Sequence, residues 1–82
     1  MTIEEYYRKI KNKELIRLKH KNTSYGATAL CVELDKDSYE PVRYVRVEIA
    51  ENEVMDKGED ATAWEFTSYT LEDALDEYNK QY

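Results

Sequence analysis

Three stretches of the chain place apolar side chains at a period of two, and only short polar clusters separate them. In residues 15–20, Ile16, Leu18 and His20 share one parity, and Arg17 and Lys19 the other. In 27–34, Leu30, Val32 and Leu34 fall on one side; in 42–50, Val45, Val47 and Ile49 do. A period of two marks a half-buried strand. The cluster Asn22-Thr23-Ser24-Tyr25-Gly26 and the segment from Asp35 to Pro41 supply turn residues between them. Links this short force antiparallel pairing, because a parallel crossover needs a dozen residues or more. The pattern predicts an antiparallel meander.

Helical signals flank the meander. Thr2-Ile3-Glu4-Glu5 reads as a capping box, and Ile3, Tyr6, Tyr7 and Ile10 form one apolar stripe. Lys9, Lys11 and Lys13 suit a helix C-terminus, so this helix should end near Asn12. The segment 51–60 reads as a polar, acidic connection. Residues 62–66 alternate again, with Trp64 and Phe66 together, which predicts a fourth strand over 62–68. Thr70-Leu71-Glu72-Asp73 is a second N-cap. Leu71, Ala74, Leu75, Tyr78 and Tyr82 then form a stripe, with Glu72, Asp73, Asp76 and Glu77 outside it. The expected fold is α+β and a single domain over 1–82: an N-terminal helix, a three- to four-stranded antiparallel sheet and a C-terminal helix. Both helices are expected on one sheet face. Arg17, Lys19, Cys31, Glu33, Tyr44, Arg46 and Glu48 would line the open face.

Several function classes are disfavoured. The chain has 82 residues, 41% hydrophobic and 37% charged, which suits one soluble globular domain. No apolar run nears the ~20 residues of a membrane span. No charged-then-apolar leader is present, so a cytoplasmic protein is expected. A single cysteine, Cys31, cannot form an internal disulfide, and with the single His20 it cannot make a zinc site. Parity places Cys31 outward and His20 inward, which separates the one thiol from the one imidazole. No glycine-rich phosphate loop exists, and no carboxylate pair stands out for acid–base work. The acids of 51–53 and 56–60 lack the ligand spacing of an EF-hand. A protein without enzymatic activity, cofactor or metal is expected.

Charge is more informative. The formal net charge is -6, unevenly spread. Residues 1–21 hold seven Lys/Arg against three acids, and residues 22–82 hold five against fifteen. Within 51–77, Lys57 alone opposes ten acids. Such a field repels nucleic acid and acidic membranes and attracts basic surfaces. Duplex DNA carries one charge per about 1.7 Å of axis, and a compact acidic face can imitate it. The eight tyrosines add interface chemistry, because a rigid ring buries area while its hydroxyl stays hydrogen-bonded. Tyr6, Tyr7 and Tyr78 are expected in the core, Tyr25 and Tyr39 in turns, and Tyr44 on the open face.

Met1, Ile3, Arg8, the run Ile10-Lys11-Asn12-Lys13 and Glu14, followed by Thr28, Leu30, Asp37, Glu40 and Val42, carry a gapless resemblance over roughly the first 42 residues. In them the chain resembles the small phage-encoded anti-CRISPR proteins that inhibit the RNA-guided nuclease of type II-A systems by DNA mimicry. The resemblance implies a helix, a three-stranded antiparallel sheet and further helices. It also implies acidic side chains in the groove where the nuclease reads the PAM duplex with arginines. The family's contacting acids match Glu14 (an Asp there), Asp37 and Glu40. Ser38 stands where the family has Gly, and the second half does not align, since 62–68 reads as a strand where the family is helical. Glu59, Asp60, Glu72, Asp73, Asp76 and Glu77 are candidates from charge alone, and Tyr39 joins the candidate partner-binding set from its turn. The leading expectation is a DNA-mimicking inhibitor of a protein with a basic DNA-binding groove, monomeric and binding neither nucleic acid nor membrane directly. The alternative is an interaction module that uses the open sheet face, as a homodimer or with another partner.

Overall fold

A computed structural model describes residues 1–80; Tyr82, placed above on the last helical stripe, lies outside the described residues. Helix α1 (Ile3–Lys11) is followed by strands β1 (Leu15–Thr23), β2 (Gly26–Leu34) and β3 (Pro41–Ala50). Helix α2 (Glu51–Lys57) and a 3-10 turn (Gly58–Asp60) lead to β4 (Ala63–Ser68) and helix α3 (Leu71–Asn79). The four strands form one antiparallel sheet in the order β1-β2-β3-β4. The α+β fold expected from patterning is the one observed.

Local chemistry explains the helix ends. Thr2 Oγ1 accepts the Glu5 N–H at 3.2 Å, and Thr70 Oγ1 accepts the Asp73 N–H at 3.2 Å. At the other end of α1, Lys13 N–H donates to Ile10 O at 3.1 Å and Glu14 N–H to Lys9 O at 2.9 Å. That is a Schellman closure, and Lys13 adopts the left-handed φ of 61° that it needs.

The helices do not share a face. Ile3 and Tyr6 of α1 pack with Leu15, Ala29, Cys31, Val45, Val47, Ala61 and Ala63. Ala74 and Tyr78 of α3 pack with Leu30, against which Tyr44 and Leu75 also lie. Neighbouring residues of β2, Ala29 and Cys31 against Leu30, thus point to opposite helices. Register gives the reason. Cys31 pairs with Val45 and Leu30 with Arg46, so the stripe of Leu30 and that of Val45 occupy opposite sides of the sheet. The expected open face, with both helices behind it, is corrected accordingly. Of its residues, Arg17, Cys31 and Glu33 lie on the α1 side, and Lys19, Tyr44, Arg46 and Glu48 on the α3 side.

A bulge between Arg17 and Lys19 separates those two side chains and leaves Leu18 exposed. Downstream of it, His20 pairs with Ala29 and is exposed rather than inward. Cys31 is fully buried rather than outward. Tyr7, expected in the core, is 55% exposed, because the sheet side of α1 is filled by Ile3 and Tyr6. The acidic connection 51–60 contains the helix α2 and the 3-10 turn.

The N-terminal residues close the outer edge of β4. Ile3 N–H donates to Ala61 O at 2.9 Å and Ala63 N–H to Met1 O at 2.8 Å, and Thr2 bridges Thr62. The α-ammonium of Met1 also pairs with the Glu65 carboxylate at 3.3 Å. This covers part of an edge that would otherwise invite strand addition.

Candidate functional site

The β2–β3 turn is built on one side chain. Asp35 Oδ1 accepts the Asp37 N–H at 2.9 Å and the Ser38 N–H at 3.1 Å. Asp35 N–H donates to Glu40 O, and Tyr39 N–H to Asp35 O, both at 2.9 Å. Ser38 Oγ accepts the Glu40 N–H at 3.3 Å. These backbone donors, Ser38 first and Asp37 second, hold the Asp35 carboxyl below its ordinary range. Tyr39 has a left-handed φ of 57° and is 69% exposed. The turn therefore presents Asp37, Tyr39 and Glu40 to solvent on an ordered backbone.

Glu14 comes to the same place. Leu34 N–H donates to Glu14 O at 3.1 Å, which ties the end of α1 to the end of β2. Asn12, Lys13, Glu14, Asp35, Lys36 and Tyr39 line a shallow recess there. Glu14 is partly neutralised by Lys36 at 3.8 Å. Asp37 and Glu40 take part in no ion pair among the described residues. Three acids chosen by resemblance and one tyrosine chosen from its turn thus gather at one end of the sheet.

The other candidate acids divide. β4 ends with Ser68 opposite Tyr44, so α3 starts at that same end. Glu72 and Asp73 occupy its first turn, where negative charge suits the helix dipole. Asp73, Asp76 and Glu77 line a recess with Arg46, Phe66 and Lys80. Glu77 pairs with Lys80 at 3.6 Å. Glu59 and Asp60 lie on the 3-10 turn near Gly26, at the far end of β2. Nine residues of strand put about 25–30 Å between the two ends. Glu59 and Asp60 therefore stand apart from the turn acids.

Sequence reasoning missed the exposed aromatics as a surface. Trp64 and Phe66, two residues apart on β4, are 53% and 45% exposed. They lie on the α3 side, where Phe66 stacks under the Arg46 guanidinium at 4.3 Å. Their shared parity was visible; their position on an edge strand only partly covered by α3 was not.

The thiol and imidazole form no reactive pair. Burial pushes the Cys31 thiol up, and the Tyr6 hydroxyl at 3.9 Å and Arg17 only oppose that shift. No group of three His, Cys, Asp or Glu side chains is placed to hold a metal among the described residues. Among them also, no helix is long and apolar enough to cross a membrane. Neither a family model, nor a curated protein, nor a solved structure matches the chain.

Proposed function

We propose that this chain is a non-enzymatic acidic inhibitor that occupies the DNA-binding groove of a protein, a type II CRISPR RNA-guided nuclease in the first instance. The observation that carries the reading is the β2–β3 turn. Asp37 and Glu40 project from an ordered loop, in no ion pair among the described residues, at the sheet end where the acidic helix α3 also begins. Carboxylates held in this way can accept the arginine hydrogen bonds that otherwise go to phosphates and base edges. Tyr39 between them adds a rigid ring to the contact.

The test is cleavage of a matched DNA target by a guide-loaded type II-A nuclease, with the protein added before or after DNA. Inhibition is expected only when the protein is added first, and it should weaken steeply between low and moderate salt. The double substitution Asp37→Lys/Glu40→Lys should lose at least about tenfold in inhibition, the loss of about 1.4 kcal/mol of binding. Absence of any complex or inhibition across several such nucleases would remove the reading. Full inhibition by the double variant would remove the turn from it.

A second reading rests on Trp64 and Phe66. Trp64 and Phe66 are exposed side by side on one strand face, and aromatic side chains are enriched in protein interfaces. A homodimer through this strip predicts self-association that persists at high salt and is lost in Trp64→Ser/Phe66→Ser. Sedimentation equilibrium separates it from charge-driven binding.

A further inference from the structure

A groove of about 730 Å³ opens where α1, α2 and the β1–β2 hairpin meet. Ile3, Ala27, Ile49 and Val54 form its apolar wall, and Tyr7 lines it with more than half of its surface exposed. Gly26 allows the hairpin to sit against β3 here, since a Cβ at that position would stand 1.9 Å from Ile49 O.

The charged groups that line the groove are both carboxylates, beside the neutral Asn22 and Thr23. Glu51 and Glu59 are exposed carboxylates on its border. Lys57, the lysine of this segment, is directed instead to Glu53, 4.0 Å away. Glu53 is further engaged by the Thr62 N–H at 3.0 Å, which holds its carboxyl below the ordinary range. The hydroxyl of Thr23, also part of the lining, is shielded from bulk solvent and has no hydrogen-bond partner among the described residues.

We propose that this groove binds a small organic cation with an apolar body, of the arylalkylamine class. The ring would lie on Ile3, Ala27, Ile49 and Val54, beside Tyr7. The ammonium group would be taken by the Glu51 and Glu59 carboxylates, which both line the groove. The volume falls in the range of small-molecule pockets, with a mostly apolar wall and few polar groups. Carboxylates next to a low-dielectric wall favour a cation over its neutral counterpart. An anion would meet both carboxylates and the net charge of -6.

The test is an NMR titration of the ¹⁵N-labelled chain with 2-phenylethylamine and, separately, with 2-phenylethanol, which differs only in the polar group. Saturable shifts are expected at the amides of Tyr7, Thr23, Ala27 and Val54, with the amine at least about tenfold tighter than the alcohol. Glu51→Gln/Glu59→Gln should bring the amine to the level of the alcohol. Both changes are at exposed positions, and an otherwise unchanged spectrum verifies the fold. Equal binding of amine and alcohol, no shifts at those amides, or an undiminished amine preference in the double variant would each overturn the proposal.

Discussion

Among the described residues, two with side chains occupy the left-handed region, Lys13 and Tyr39, and they line the same recess. An L-residue there costs about 1–2 kcal/mol, which glycine avoids. Lys13→Gly should therefore raise stability by about 0.5–1 kcal/mol in chemical denaturation, since the Schellman bonds ask for that φ whatever the side chain. Tyr39→Gly should stabilise by a similar amount while weakening the proposed inhibition, because the exposed ring belongs to the contact surface. Gly26 is the opposite case. It has no Cβ to strike Ile49 O, and Gly26→Ala should cost about 2–3 kcal/mol as the hairpin is pushed from β3. None of these demands is visible in the sequence. Asn-Lys-Glu gives no sign of a left-handed lysine, and a glycine in a turn cluster reads as turn chemistry rather than close approach.

Elements with a period and a cap were legible; elements with neither were not. α1 and α3 each have a threonine cap and an apolar stripe, and both appear where they were expected. α2 has no side-chain cap and buries none of its residues, so nothing in Glu51–Lys57 distinguishes it from a solvated link. The sides of the sheet were misassigned for a different reason. Taken one strand at a time, the apolar stripes of β2 and β3 both read as inward, but relative parity depends on register, and the turn sets the register. The continuous apolar run Ala29-Leu30-Cys31-Val32 was the available signal, since a strand covered on both sides loses its alternation. The small residues Ala29 and Cys31 also have a use: they leave room for Tyr6, whose hydroxyl reaches Cys31 Sγ. The candidate site was half legible. Resemblance found Glu14, Asp37 and Glu40, which converge, whereas charge alone also collected Glu59 and Asp60, which do not. Thr2 both caps α1 and bridges Thr62. Thr2→Ala should cost about 1–2 kcal/mol, and thermal melting of the variant measures it.

At the scale of the molecule, charge and burial set opposite pH limits. Burial raises Cys31 and Tyr6 above their ordinary values, so the folded state holds their protons more tightly. The stability this contributes is complete below the unfolded thiol value of about 8.5 and declines as pH rises beyond it. Asp35 and Glu53 are depressed by backbone donors, so their contribution is present above the unfolded carboxylate values near about 4. It is lost as pH falls through their lower folded values. Urea midpoints across pH 3–11 should trace a plateau that falls at both ends, and Cys31→Ala should move the alkaline decline upward. Charge is also arranged by region. Lys19 is exposed on the edge strand β1, where it discourages strand addition, whereas Lys21 donates to Tyr78 O of α3 at 3.0 Å, and the acids gather on α3 and the turns.

The clasp between Met1–Ile3 and Ala61–Ala63 also has a consequence in time. The meander follows the chain order, so β1, β2 and β3 can assemble as neighbours through short loops with little entropy to overcome. The first residues must wait for partners some sixty positions later before their edge is closed. Helix α1 can settle on Ala29, Cys31, Val45 and Val47 while its own N-terminal residues are still unclasped. During synthesis the outer edge of β3 stays open to other chains until β4 has emerged to cover it.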